Sequence, residues 1–387
     1  MTTEHTQGAR QRIAAIALAT ALLTALAGCS TVSSASSTAS SSTADSTLSA
    51  KVEKLESPQS SYKVPTASIP DIASLRGKTV YWVPFVETSQ FLVTGKALTA
   101  ALKSVGVSVQ ICNGNSNPST INGCISQATS ADAGAIITES VPYALAANTL
   151  TAAQQKGIPV LVTDQVPDGA HPGSSTLAYL TDPASDELKA IADWIIVDSG
   201  GKADVVVTQD TDSPSTKQYI AAAKKEFASQ CPACTVTTNP VSSANFSLIP
   251  SSTSSVLLKN PDADYVISEF DQFLQPVQGG VQQSGRAASI KGASTAATIG
   301  GGLAMLKNKN FLSVDAGQAV AYQGWAEADA ALRLMTKQTV PSYDIPFRLF
   351  TRDNVGDIAL TSAAEASGEW YGPADFTTRF EKLWGSN

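Results

Sequence analysis

The sequence predicts an α/β protein with two Rossmann-like lobes, each a parallel sheet flanked by helices. Three observations predict it. Short apolar runs alternate with segments of helical spacing, the mark of a parallel sheet covered on both faces. That alternation runs from Val80 to Val162 and restarts at Ala184. At 387 residues the chain is also too long for one ordinary core.

The elements follow in order. Val80-Tyr81-Trp82-Val83 reads as a buried strand. Ala97, Leu98, Ala101, Leu102 and Val105 recur at helical spacing, and Gly106 stops that helix. Val107 to Ile111 is a strand, Asn122 to Thr129 a helix, Ala135 to Ile137 a strand, and Ala144 to Lys156 a helix. The turn Gly157-Ile158-Pro159 leads into the strand Val160-Leu161-Val162. In the second half, Ala184 to Ile196 and Ser215 to Phe227 read as helices, and Asp204 to Thr208 as a strand. Tyr265 to Ile267, Ala297 to Ile299 and Phe311 to Val314 read as further strands, and Tyr322 to Met335 as an Ala-rich helix. Ligands of such sheets bind beyond the carboxyl ends of the strands. The loops of interest are those after Val83, Ile137, Val162, Thr208, Ile267, Ile299 and Val314.

The N-terminus sets the expected location. Arg10 and Arg12 precede an apolar core from Ile13 to Leu26, too short for a mature transmembrane helix and of the right length for a secretory signal. Leu26-Ala27-Gly28-Cys29 resembles the lipobox of bacterial lipoproteins. The resemblance implies removal of residues 1–28, lipidation of Cys29 and anchoring outside the cell membrane. Residues 29–76 are expected to be a tether and irregular lead-in, because Ser30 to Thr47 is almost entirely Ser, Thr and Ala.

Composition excludes several functions. A net charge of −7 argues against nucleic acid, whose phosphates need a basic surface. Of two histidines, His5 lies in the signal and His171 in a turn, so no Ser-His-Asp triad or multi-histidine metal site can be assembled. No Gly-x-Ser-x-Gly elbow is present, and Gly300-Gly301-Gly302 lacks the Lys-Ser/Thr of a P-loop. Those glycines suit close backbone approach or hinge freedom. No cofactor or metal is expected. The remaining cysteines, Cys112, Cys124, Cys231 and Cys234, allow three pairings in an oxidising compartment, of which the local ones, Cys112–Cys124 and Cys231–Cys234, are favoured. Cys231-Pro232-Ala233-Cys234 follows a helix instead of opening one, which favours a structural over a redox role.

The strand-end loops carry a resemblance. Val83-Pro84-Phe85 running on to Gln90-Phe91, Gly157-Ile158-Pro159-Val160 with Thr163-Asp164, Phe270-Asp271, Ile299-Gly300-Gly301-Gly302, and Gln318 with Gly324 occur in the order found in ribose/galactose-type (type I) periplasmic binding proteins. These are the solute receptors of ABC importers. The C-terminal Phe380 to Gly385 is similar to the tail of actinobacterial members. The resemblance implies a three-segment hinge, with 77–181 plus 318–348 forming an N-terminal lobe and 182–317 plus 349–387 a C-terminal lobe. It also implies a monomer that binds a small solute in the interlobe cleft and delivers it to an ABC permease. The implied ligand-binding residues are Phe85, Gln90, Phe91, Asp164, Gln165, Phe270, Asp271, Gly302 and Gln318.

This chain departs from the sugar-binding pattern at three of them. Gln165 stands where those members carry Arg, Phe270 replaces Asn, and Gly302 replaces Asp. The remaining groups suit a neutral, partly apolar ligand or one carrying a cation at least as well as a pyranose. Bland alternatives stay open: Asp164 can cap a turn, Asp271 can cap the helix over Gln272 to Gln283, and Phe85 and Phe91 can belong to a core. Two other functions remain: an extracellular enzyme using carboxylates such as Asp164 and Asp271, and a sensor presenting its ligand to a membrane kinase. For the anchor, Cys29→Ser is expected to release the protein from the membrane fraction; a variant that still sediments with membranes at unchanged gel mobility contradicts lipidation.

Overall fold

The computed structural model describes residues 39–385, so the signal and Cys29 lie outside the described residues. Helix α1 (Ala39–Leu55) comes first. The first lobe then runs β1 (Thr79–Pro84), α2 (Ser89–Ser104), β2 (Ser108–Ile111), α3 (Pro118–Ser130), β3 (Ala135–Glu139), α4 (Ala147–Gln155), β4 (Val160–Thr163) and β5 (Leu177–Leu180). Its sheet is parallel throughout, in the order β2-β1-β3-β4-β5. Val80, Trp82, Ile137 and Leu161 are fully buried, as strands covered on both faces require.

The second lobe runs α5 (Ala184–Asp198), β6 (Asp204–Asp210), α6 (Pro214–Gln230), β7 (Thr235–Val241), α7 (Ile249–Lys259), β8 (Tyr265–Ser268), α8 (Leu274–Gln283), β9 (Lys291–Thr295), α9 (Ala304–Lys307) and β10 (Leu312–Gln318). The chain ends with α10 (Val320–Met335), β11 (Phe347–Thr351), α11 (Ser362–Ser367) and α12 (Phe376–Trp384). The second sheet has the order β11-β10-β9-β8-β6-β7, and its edge strand β11 is antiparallel to β10. The strand expected at Ala297 to Ile299 lies one element earlier, as β9; the residues themselves turn into a glycine-rich loop. β5, β11 and α7 give little sequence signal, being short or serine-rich.

Between β10 and β11 the chain returns to the first lobe. α10 packs on α2 and against the ends of β3, β4 and β5. The two helices approach closely because residue 324 is Gly: a Cβ there would lie 2.5 Å from the Thr94 carbonyl oxygen. The tail does not complete the second lobe as the sequence suggested. β11 joins that sheet, but α11 and α12 pack on α2 and α10. Aromatic packing draws them there: Trp384 stacks on Trp325 at 5.5 Å between centroids, and Phe376 and Phe380 pack against Tyr322. The Trp384 indole donates to Asp329 Oδ1 (2.8 Å), an acid also paired with Arg333 (2.7 Å).

Part of the lead-in departs from the tether expected within 29–76: Ala39–Leu55 is helical, whereas most of 58–71 is irregular as expected, and residues 29–38 lie outside the described residues. Leu48, Val52 and Leu55 share one face of α1 and join the core of α5 and α6. Lys51 Nζ lies 2.6 Å from Asp193 Oδ2. Further on, Tyr62 stacks on Tyr322 of α10 at 5.0 Å and packs on Phe376. Arg348 Nε holds the Glu56 carbonyl (2.8 Å), and Arg333 holds that of Ala67. The Ser/Thr/Ala composition hid three apolar residues at helical spacing.

Both local disulfides are closed. Cys112–Cys124 ties the end of β2 to α3, and Cys231–Cys234 staples the turn from α6 to β7. The first, with a separation of 12 residues, is worth about 3 kcal/mol by loop entropy. For α1, Val52→Ala removes two methyl-sized groups from a 4% exposed site. Urea denaturation is expected to show a loss of about 1–2 kcal/mol; a solvated tether would show none.

Candidate functional site

The carboxyl ends of both sheets face one cavity of about 440 Å³. β1 delivers Phe85, β3 delivers Ser140, β4 delivers Asp164 and Gln165, β6 delivers Asp210, and β8 delivers Phe270 and Asp271. Gln90 and Phe91 come from the first turn of α2, which is capped by Thr88 accepting from the Phe91 amide (3.2 Å). Seven of the nine residues singled out from sequence therefore line the cavity. Asp164 sits at φ 52° and Ser140 at φ 56°, in the left-handed region, where the chain turns sharply off each strand.

Gln318 does not reach the cavity. It is buried, with Tyr371 of the tail near the neighbouring Gly317, and its Nε2 donates to Gln323 Oε1 (2.6 Å). Gln323 in turn donates to Asp164 Oδ1 (2.8 Å), Glu327 Oε1 (3.0 Å) and Glu139 Oε1 (3.1 Å). Gln318 thus stands behind Asp164 and does not face it across the cleft. Glu139 also accepts from Thr163 Oγ1 (2.7 Å) and the Trp82 indole (3.3 Å).

Gly302 is not a lining residue either. Its amide donates to Asp271 Oδ2 (2.9 Å), and a Cβ there would fall 1.6 Å from Asp315 Oδ2. The glycine makes room for two carboxyls to adjoin. Asp271 Oδ1 and Asp315 Oδ2 have no hydrogen-bond donor, which is the pattern of a carboxyl pair sharing a proton. Asp271 Oδ2 also accepts from the Thr298 amide (2.8 Å) and hydroxyl (2.7 Å), so Asp271 fixes the glycine loop and does not cap α8.

The sequence reading missed several lining residues. Asp182 lies at the crossing between lobes, and Phe246 on the loop after β7. Asp210 and Asp212 line the cavity as well. Their position at the end of β6 was the available signal. Glu139 and Glu327 gave a weaker one, charges inside apolar elements. His171, expected as a solvated loop residue, stacks on Tyr143 at 4.3 Å and bonds Asp168 (2.8 Å).

Burial dominates the electrostatics. It raises Asp164 well above the usual carboxylate range, with Glu139 adding to the effect. It pushes Asp182 up to about 6 and Asp210 up to about 7. Asp271 and Asp315 are raised as well. In Asp212 burial is outweighed by hydrogen bonds from Ser242 and Ser243, and the group falls below its usual value. Among the described residues no group of His, Cys, Asp and Glu has the arrangement of a metal site.

A family model described as a periplasmic binding protein domain matches residues 80–339. The chain belongs to the periplasmic binding protein family. Periplasmic binding proteins are solute receptors, not enzymes. Solved members share the α/β fold. One is a 5-methylthioribose transporter solute-binding protein from Thermotoga lettingae, in complex with 5-methylthioribose. It has 17% identity and a TM-score of 0.67, covering 80% of this chain and 97% of its own. An ABC transporter solute-binding protein from Agrobacterium vitis, bound with α-D-tagatopyranose, has 22% identity and a TM-score of 0.65, covering 73% and 97%. The Caulobacter myo-inositol binding protein, bound to myo-inositol, has 18% identity and a TM-score of 0.64, covering 73% and 97%. No curated protein sequence matches. Among the described residues no helix is long and apolar enough to cross a membrane.

The raised carboxyls give this periplasmic binding protein a directional pH response. In the folded state they hold protons at a pH where the unfolded chain, with carboxyls near 4, has lost them. Their stabilising effect is full below the unfolded value and is lost as pH rises through about 6 for Asp182 and about 7 for Asp210. The unfolding free energy from denaturant titration is expected to be higher at pH 5 than at pH 8. Asp210→Asn is expected to flatten the profile.

Proposed function

We propose that the protein is the lipid-anchored, extracytoplasmic receptor of an ABC importer, capturing a small polyhydroxylated solute between its lobes and handing it to the membrane permease. The cavity carries this reading: strand ends of both sheets meet there, and hydroxyl and amide side chains alternate with phenylalanines. Hydroxyls of Thr88, Ser140, Ser213, Thr216 and Thr298 and the amides of Gln90 and Gln165 can match a ring of solute hydroxyls. Phe85, Phe91 and Phe270 offer faces to its apolar side. The volume lies in the ordinary range for small-molecule sites. Closure about the crossings would bury the solute by hinge motion. Related folds that hold tagatose, methylthioribose and myo-inositol support a solute of that size.

The test is native mass spectrometry of the purified protein, followed by isothermal titration with whatever co-purifies. Binding without turnover is the expected result, and turnover contradicts the reading. Asp164→Ala is expected to weaken binding by roughly 5- to 150-fold, the effect of an unpaired polar partner in a dry cleft. It should leave stability undiminished, because burial already disfavours that carboxylate. Unchanged affinity would place the site elsewhere.

A further inference from the structure

The polar lining is unbalanced in charge. Asp164, Asp182, Asp210, Asp212 and Asp271 all border the cavity, and no Lys, Arg or His does. None of the five takes part in an ion pair among the described residues. They come from both sides of the cleft: Asp164 from the end of β4, Asp210 and Asp212 from β6 and its loop, Asp271 from the loop after β8. Asp210 is 6% exposed and accepts at Oδ1 from the Asp212 amide (3.0 Å). The N-termini of α2 and α6 lie at the cavity, but Thr88 and Ser213 cap them, and two half-charges do not balance five carboxyls.

Closing such a cleft on a neutral solute would leave these carboxyls without a counter-charge, so that they either stay protonated or ionise only at a cost. A cation removes that penalty by pairing with them. Phe85, Phe91, Phe246 and Phe270 border the same space and can take a cation or an apolar ring face. The hydroxyl and amide groups that match a polyol remain in place beside them.

We propose that the solute carries a protonated amine on a polyhydroxylated ring, making it an amino sugar or aminocyclitol in place of a neutral sugar. The amine sits between Asp210 and Asp164, bridging the lobes, while the ring lies against the phenylalanines. This inference rests on the solute-receptor reading above and narrows its ligand class.

The test pairs each amine with its neutral counterpart: galactosamine against galactose, glucosamine against glucose, and 2-deoxystreptamine against myo-inositol. Isothermal titration and the melting shift of the full mature chain are the readouts. The expected result is binding at least tenfold tighter for the amine in one or more pairs. Asp210→Asn is expected to cost that amine about 10- to 100-fold while changing the neutral partner little. Asp164→Asn, which keeps the shape and the Gln323 contact, serves as the second variant if the first folds poorly. Neutral members binding as tightly as the amines, or equal losses for both in the variants, would overturn the cation and leave the receptor standing. If no member of any pair binds, both the cation and the polyol receptor fall.

Discussion

One amide nitrogen carries three carboxyls. Gln323 Nε2 has two hydrogens, yet Glu139, Asp164 and Glu327 all lie within 3.1 Å of it. Two hydrogens cannot satisfy three carboxylates, and none of these acids has a basic partner among the described residues. Burial raises Asp164 and Glu327, so the cluster stays together by holding protons. The cluster joins the ends of β3 and β4 to the first turns of α10, where the chain has just returned from the second sheet. The position of Asp164 in the cavity depends on it, and so does the junction between lobes. The second lobe repeats the device with Asp271 and Asp315 beneath Gly302.

These two clusters explain which parts of the site could be read from sequence. Strand-end positions were legible, because alternation located the strands and the parallel fold puts ligands at their carboxyl ends. Phe85, Asp164, Gln165, Phe270 and Asp271 sit at such positions, and the family resemblance singled them out together with Phe91 of α2. Gln318 sits at a strand end too, yet β10 lies beside the antiparallel edge strand, and the tail residue Tyr371 packs near Gly317. Gly302 looked like a ligand contact because the resemblance places it where sugar-binding members carry Asp. Its role is steric and depends on Asp315, which sits 13 residues away on β10. No local pattern links the two.

The fold was legible where periodicity was strong and opaque where the chain is stitched together by aromatic rings. The parallel sheets, α5, α6 and α10 follow from apolar spacing. The course of the tail does not, because it depends on Trp325 meeting Trp384 and on Tyr322 meeting Tyr62 and Phe376. Those pairs are tens to hundreds of residues apart. α1 was hidden differently: a serine- and threonine-rich sequence has low helix propensity, and packing of Leu48, Val52 and Leu55 with the Lys51–Asp193 pair holds the helix in place.

The disulfides have a consequence for how the molecule responds to reductants. Each bond is confined to one lobe, Cys112–Cys124 to the first and Cys231–Cys234 to the second, and neither spans the cleft. Breaking them loosens a lobe from within without cutting any link across the hinge. Any opening or closing about the crossings would therefore be insulated from the redox state of the surroundings, and a reductant would act on the molecule's durability, not on its grip.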